Sequence, residues 1–196
     1  MAQWDLMKKG DFDALLAKHS HYFDGRWAYF SEVIALVGAS DFESIVEIGP
    51  GPVPIAKNAD VILNPLDDQY GKPLSVSGRT HTFDATISPW PMADKQYDLF
   101  IGLQVWEHLD NKQTRAFREV MRVARHAVLS FPYLWDGGEE KPSHRAHRDI
   151  DLALIADWTL HVPPTKVVEI PRAGPAFNQG PRMIYYWDFD GGTKSE

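Results

Sequence analysis

The sequence predicts an α/β protein built on a mostly parallel sheet of seven strands, in which the last strand is antiparallel. Short apolar runs of the length of buried strands recur along the chain from residue 44 onward. Amphipathic helical segments separate several of these runs, and such connections join parallel strands. The last two runs are joined only by a loop containing glycine and proline, which indicates an antiparallel pair at one edge of the sheet.

The predicted elements follow one another in an order typical of a sheet with helices on both faces. Residues 10–38 have helical periodicity, and helices are also expected at residues 112–125 and 149–158. The seven strand-like runs are residues 44–48, 59–64, 79–84, 97–103, 126–132, 165–171 and 182–189. Ligands of such sheets bind beyond the carboxyl ends of the strands, so polar residues at those ends are the first candidates for a site.

Composition limits the classes of protein to consider. A chain of 196 residues with 44% apolar side chains is expected to form a single globular domain over residues 1–196. The net charge of −7 and the lack of a basic tract argue against a nucleic-acid partner. The absence of cysteine excludes disulfide and thiol chemistry. No apolar run approaches the length of a membrane span and the N-terminus lacks a signal-like run, so a cytoplasmic protein is expected.

The loop after the first predicted strand, VEIGPGPVP at residues 46–54, has the glycines of a ligand-binding turn. A dinucleotide loop of the form G-x-G-x-x-G would end in glycine at position 54, where this chain has Pro54. The three prolines also supply no N–H groups to a phosphate. Glu47, two residues before Gly49, instead favours a ligand that carries an amine or a positive charge.

Four segments resemble motifs of the class I methyltransferases that depend on S-adenosyl-L-methionine (SAM), and most of all the small-molecule, methyltransferase type 11-like members. The segments are Glu47–Gly51, Phe83–Ala85, Trp90–Ile101 and Gln104–Leu109, in the family's order and spacing. The first resembles the pattern [D/E]-x-G-x-G, although Val53 stands where the family usually has a further glycine. The resemblance implies a Rossmann-like three-layer sandwich over residues 41–196, with residues 1–40 as an N-terminal helical lid.

The resemblance also implies which residues would bind SAM. Glu47, Gly49 and Gly51 would meet its methionine part, and Asp84 and Ala85 would lie by the adenine. Asn64 holds the position of the acidic residue that binds the ribose, for which Asp67 or Asp68 could substitute. The remaining candidates are Gln104 after the fourth strand, Arg26 as partner of the methionine carboxylate, and Tyr22 as a further hydrogen-bonding group.

Three histidines are candidates for the general base that methyl transfer to a hydroxyl requires. His108 follows the fourth strand, although the Glu107–His108 pair could equally orient a local turn. His144 and His147 follow the fifth strand, just before the N-cap candidate Asp149. No metal is expected, because nothing in the sequence adds further ligands to His144, His147 and Asp149.

The resemblance leaves the function with alternatives. The leading hypothesis is a SAM-dependent methyltransferase that acts on an O or N atom of a small-molecule, sugar or lipid-type acceptor. Val53, the prolines and Asn64 support a second hypothesis, an inactive binding or scaffold protein of the same fold. A nucleotide-dependent oxidoreductase is a third and weaker one, because glycine is missing at position 54. Trp106 is either a core residue or a wall of the cofactor pocket.

Overall fold

A computed structural model describes residues 4–65, 76–134, 149–174 and 180–191. It contains five α-helices in these residues, and a 3₁₀ turn at Trp106–His108. The helices are α1 (Lys9–Lys18), α2 (Ser20–Phe23), α3 (Trp27–Gly38), α4 (Gln113–Val123) and α5 (Leu152–Trp158). The strands are β1 (Ile45–Ile48), β2 (Asp60–Leu63), β3 (Thr80–Thr82), β4 (Tyr97–Leu103), β5 (Ala124–Pro132), β6 (Lys166–Ile170) and β7 (Arg182–Asp188).

The seven strands form one sheet in the order β3-β2-β1-β4-β5-β7-β6. Strand β7 runs antiparallel to both of its neighbours, β5 and β6, whereas the other described pairs are parallel. The prediction of a mostly parallel seven-stranded sheet with an antiparallel last strand is therefore confirmed. Strand β1 lies in the interior of the sheet, where Glu47 stands between Val61 of β2 and Ile101 of β4.

Alternating side chains of the strands bury two apolar layers, one on each face of the sheet. Val46 and Phe100 belong to the layer that includes Phe117 of α4 and Ile155 of α5. The opposite layer, which contains Leu99, is shared with α1 and α3. The three-layer sandwich that the sequence predicts follows from this alternation.

The predicted helical stretch at residues 10–38 is divided into three helices. Helix α1 ends at Lys18, and α2 is a single turn that ends at Phe23. Gly25 then adopts a φ of 74°, a left-handed conformation that lets the chain turn before α3 begins. The apolar side chains of α3, including Val33 and Val37, pack on the sheet. A role of residues 1–40 as a lid stays a prediction.

The connection between β1 and β2 is short, and its residues 49–59 contain no helix. The N-terminal segment around Leu6 pairs with this connection and forms an antiparallel bridge with Ala56. The Met7 amide donates to the Ile55 carbonyl at 2.8 Å, and the Lys57 amide donates to the Asp5 carbonyl at 2.9 Å. No helix N-terminus therefore follows the first strand, and the glycine loop itself forms that end of the sheet.

No helix among the described residues is long and apolar enough to cross a membrane.

The packing at the centre of the sheet can be tested by substituting Gly102 in β4. A Cβ atom there would lie 3.0 Å from Leu129 Cδ2 and 3.2 Å from both Ile48 and Trp106. We expect Gly102→Ala to lower the free energy of unfolding by about 1–3 kcal/mol, because overpacking a filled core displaces its neighbours. Urea unfolding followed by circular dichroism measures the change.

Gly10 provides the matched control, since nothing lies within 4 Å of a Cβ atom added there. Gly10→Ala, within α1, should leave the free energy of unfolding unchanged or raise it by up to about 1 kcal/mol. Equal effects of the two substitutions would contradict the close packing at Gly102.

Candidate functional site

The candidate site is the edge of the sheet at the carboxyl ends of the parallel strands. Residues that the sequence singled out follow four neighbouring strands, β1, β2, β3 and β4. They are Glu47, Gly49 and Gly51 at β1, Asn64 at β2, Asp84 and Ala85 at β3, and Gln104 at β4. The topology thus brings these predicted residues to one edge, as expected of a doubly wound sheet.

The loop after β1 depends on its two glycines. Gly49 and Gly51 have φ values of 58° and 66°, which side chains of other residues rarely tolerate. The Gly49 amide donates to the Ile62 carbonyl at 3.0 Å, and a Cβ atom at Gly49 would lie 3.1 Å from Val105. Nothing lies within 4 Å of a Cβ atom placed at Gly51. The backbone at Gly51 is therefore accessible to a ligand.

The buried side chain of Glu47 is hydrogen-bonded to the far end of this loop. Its side chain is 3% exposed, and Oε2 accepts a hydrogen bond of 2.7 Å from the Ile55 amide at the far end of the loop. Burial raises the pKa of the Glu47 carboxyl to about 8, although the bond from Ile55 opposes the shift. A nearby cation would favour the ionised carboxylate and so lower this pKa.

The end of β3 is organised as a tight turn. Asp84 Oδ1 accepts hydrogen bonds from the Thr86 amide at 2.8 Å and from its hydroxyl at 2.7 Å. The carbonyl of Ala85, which is buried, accepts a bond of 3.1 Å from the Trp90 indole. Asn64, at the end of β2, is exposed. The two Asp84 bonds fix the direction of its carboxylate beside Ala85.

The end of β4 is fixed to β5 through Gln104. Both the Gln104 backbone amide and its side-chain Nε2 donate to Ser130 Oγ at 3.0 Å. Gln104 has a φ of 57° and is 9% exposed, so the chain turns sharply there. Trp106 is fully buried and its ring lies edge-on to Phe100 at 6.1 Å, which supports the core interpretation of this residue.

Arg26 is directed into the protein. Its guanidinium lies 3.7 Å from the centre of the Tyr22 ring, and Nη1 donates to the Tyr29 hydroxyl at 2.9 Å. Arg26 Nε is buried and has no hydrogen-bond partner within the described part of the chain. Burial by itself lowers the pKa of Arg26, but Tyr29, Tyr22 and Glu107 raise it by more. These contacts direct the Arg26 guanidinium toward the protein interior and away from solvent.

Three further buried polar residues surround Arg26, and the sequence singled out one of them, Glu107, only as the neighbour of His108. They are Tyr29, Glu107 and Arg182, which are 1%, 3% and 4% exposed. Arg26 and these three residues are called the arginine cluster below. The sequence signal for Arg182 is an arginine at the start of an apolar strand, in PRMIYYW. Only the antiparallel direction of β7 places that residue at the ligand edge.

Only one of the three histidine candidates, His108, lies in the described part of the chain. His108 is half-buried, and its Nε2 lies 3.8 Å from Glu107 Oε1. His144 and His147 lie outside the described residues, as do the alternative ribose partners Asp67 and Asp68. No group of three or more residues that could ligate a metal is found among the residues that the structure describes.

Known structures share this fold. Neither a protein-family model nor a curated protein matches the sequence. A chain of the complex between the Haloferax volcanii Trm112 methyltransferase activator and a methyltransferase is 11% identical, with 92% of this chain and 96% of that chain covered and a TM-score of 0.63. The structure of magnesium protoporphyrin IX methyltransferase of Synechocystis PCC 6803 with bound S-adenosylhomocysteine (SAH) is 16% identical. The match covers 91% of this chain and 94% of that chain, with a TM-score of 0.55.

A SAM-dependent methyltransferase structure from Methanosarcina mazei is 12% identical, with 78% of this chain and 95% of that chain covered and a TM-score of 0.56. Similarities at such low identity establish the fold alone. The fold of this protein is that of the class I SAM-dependent methyltransferases.

The raised pKa of Glu47 predicts how stability depends on pH. The carboxyl has an ordinary pKa of 4.5 and a pKa of about 8 when buried. The folded state therefore holds the proton more tightly than the unfolded state, and the free energy of unfolding should fall between pH 4.5 and 8. Glu47→Gln keeps an oxygen for the Ile55 amide but cannot ionise. Its Tm relative to wild type should therefore rise from pH 5 to pH 8.

The exposed residue Glu169 is the control for this measurement. The Tm of Glu169→Gln relative to wild type should be the same at both pH values. A Tm difference for Glu47→Gln that does not change with pH would contradict the burial of an ionisable carboxyl at this position.

Proposed function

We propose that the protein is a SAM-dependent methyltransferase that acts on an O or N atom of a small-molecule, sugar or lipid-type acceptor. The observation that carries the proposal is the buried Glu47 beneath an accessible glycine backbone, at the ligand edge of a methyltransferase fold. A carboxylate at that point suits the amine of the methionine part of SAM. The prolines of the loop, which remove N–H donors, disfavour a phosphate-bearing ligand instead.

The side chains at the edge fit the chemical groups of SAM. Glu47 would bind the amine, and Arg26, whose buried Nε lacks a partner among the described residues, would bind the carboxylate. Asp84 and Ala85 would contact the adenine, Asn64 the ribose, and Tyr22 would hold the Arg26 guanidinium by stacking. Gln104 would shape the floor of the site through its bonds to Ser130. Bound SAM would supply a methyl group activated by a sulfonium.

The chain itself would align the acceptor and receive its proton. His108 is the described histidine beside the end of β4, and the carboxylate of Glu107 at 3.8 Å would favour its protonated form after proton transfer. His144 and His147 are proposed for the same role on the basis of the sequence alone.

Two observations favour an inactive scaffold as the second candidate. The loop after β1 is followed by no helix in residues 49–59, so no helix dipole faces a ligand there. Asn64, which replaces an acidic residue, offers one acceptor oxygen and not two. The binding of SAM separates the two candidates.

Ligand binding is tested first on the wild type. SAH and SAM should raise Tm in proportion to the logarithm of their concentration, because they bind only the folded state. The cationic amine favours ionised Glu47, so binding should release a proton and the affinity should increase from pH 6 toward 8. Isothermal titration calorimetry measures both quantities. Buffers of different ionisation enthalpy give the number of protons released, and titrations between pH 6 and 8 give the affinity.

Glu47→Gln and Gly51→Val extend this experiment. Glu47→Gln should weaken SAH binding by about thirtyfold or more and abolish its pH dependence, since a buried charge pair is lost. Gly51→Val should weaken binding because it fills the open space and strains a φ of 66°. Gly10→Ala should bind as the wild type does. No Tm shift of the wild type at millimolar SAH would reject the enzyme hypothesis, and protection by NADPH instead would favour an oxidoreductase.

The general base is tested with alanine at each histidine, using a hydroxyl acceptor. Substitution of the base should lower kcat by about 10²–10⁴-fold and leave the SAH affinity unchanged. We expect this loss at His108, His144 or His147, and only a small change at the exposed control His161. Full activity of all three variants would show that no histidine of this set accepts the proton.

A further inference from the structure

The segment that joins β3 to β4 is held in place by side chains of other elements. Residues 83–96, all of which the structure describes, form turns with no helix or strand among them. Asp84 and Ala85 lie at the start of this segment, where β3 ends, and the segment then returns to the start of β4 at Tyr97. Because turns lack the regular backbone bonds of helices and strands, the direction of Asp84 depends on contacts from elsewhere.

One peptide unit connects Asp84 to the protein interior. The Thr86 amide donates to Asp84 Oδ1 at 2.8 Å. The carbonyl of the same peptide unit, which belongs to Ala85, accepts the indole N–H of Trp90 at 3.1 Å. A peptide unit is planar, so its N–H and C=O groups turn together. The indole that holds the carbonyl therefore also holds the N–H that orients the Asp84 carboxylate.

Trp90 is fixed both by packing and by hydrogen bonds. It is 2% exposed, and its ring stacks on Phe100 of β4 at 5.8 Å and lies 5.7 Å from Phe83. Its backbone amide donates to Glu119 Oε2 at 3.0 Å, and its carbonyl accepts from Arg122 Nη2 at 3.0 Å. Both backbone polar groups of this residue are thus bound by one ion pair on α4.

The guanidinium of Arg122 binds the segment at further points. Nη1 donates to the Met92 carbonyl at 2.7 Å and to Asp94 Oδ1 at 2.8 Å. Nε and Nη2 donate to Glu119 Oε2 at 3.0 Å and 2.6 Å. These contacts use the planar fork of a guanidinium, which a lysine ammonium cannot reproduce. Arg122 therefore determines where the middle of the segment lies against α4.

We propose that the Arg122–Glu119 ion pair of α4 positions Asp84 for recognition of the adenine of the cofactor. This inference rests on the proposed function, since it concerns how the same site selects its nucleobase. The Asp84 carboxylate would accept a hydrogen bond from the exocyclic amine of adenine and would repel the carbonyl oxygen that hypoxanthine carries there. Arg122 lies in the last turn of α4, which leads to the start of β5 at the opposite edge of the sheet, so it acts through Trp90.

The ratio of two affinities tests the proposal separately from stability. The ligands are SAH and S-inosylhomocysteine, in which hypoxanthine replaces adenine, and calorimetry measures both Kd values. We expect the wild type to bind SAH about tenfold more tightly or better, because hypoxanthine replaces a hydrogen bond to a carboxylate with repulsion. Arg122→Met should reduce this ratio to about threefold or less, since Asp84 loses its fixed direction. A loss of stability alone would weaken both ligands equally and leave the ratio unchanged.

Two further variants control for the charge and for the helix. Arg118→Met should keep the wild-type ratio, because Arg118 is exposed on the same helix. Arg122→Lys keeps the charge but not the fork, so its ratio should lie between those of the wild type and Arg122→Met. It also decides the question if Arg122→Met does not fold. A wild-type ratio in Arg122→Met or Arg122→Lys would overturn the proposal.

Trp90→Phe tests the route by which Arg122 acts. Phenylalanine keeps a ring to pack on Phe100 but removes the N–H that holds the Ala85 carbonyl. We expect Trp90→Phe to lower the ratio as Arg122→Met does, and the double variant to lower it no further, because both act on one peptide unit. Additive losses would place Arg122 on another route and would overturn the proposal.

Two outcomes with the wild type separate this proposal from the proposed function. Equal affinity for SAH and S-inosylhomocysteine would leave the methyltransferase hypothesis standing and would overturn the selection of adenine by Asp84. The lack of any response to SAH and SAM would reject the methyltransferase itself, and with it the adenine site.

Discussion

The hydrogen bond from the Ile55 amide to the buried carboxyl of Glu47 connects the centre of the sheet to its ligand edge. It joins the two ends of the loop that follows β1, and so it fixes the loop that contains Gly49 and Gly51. The same far end of the loop pairs with the N-terminal segment at Leu6, which leads into the first helix. The position of the N-terminal helices and the shape of the loop after β1 therefore depend on the same hydrogen bond.

Burying the Glu47 carboxyl has an energetic cost, since burial disfavours its ionised form. A structural role alone would be served as well by a neutral side chain with an oxygen acceptor, such as glutamine. Ion pairing with a cation would offset the desolvation of the Glu47 carboxylate. Nothing lies within 4 Å of a Cβ atom placed at Gly51, in the loop that this hydrogen bond closes.

The ligand edge is electrostatically divided. Glu47 is a buried acid at β1, whereas the arginine cluster near the start of β7 contains the two guanidinium groups of Arg26 and Arg182. His108, whose Nε2 lies 3.8 Å from Glu107 of this cluster, follows the end of β4, the strand next to β1.

Hydrophobic periodicity was sufficient to predict the seven strands, because strand runs and helical faces depend on local sequence. The glycine loop and the residues at the ends of β1 to β4 could also be found from the sequence, because each follows its strand directly. The break of residues 10–38 into three helices was missed, because Gly25 acts through a single left-handed turn that periodicity does not register.

The arginine cluster was missed for a different reason: Arg26, Glu107 and Arg182 are far apart in the chain. Only the antiparallel insertion of β7 between β5 and β6, together with the packing of α3, brings these charges to one place. The sequence by itself therefore determined the elements and the residues at the ends of β1 to β4, which are encoded locally. The tertiary structure decided which charged residues meet at the start of β7, because the arginine cluster is formed by burial and by contacts between distant segments.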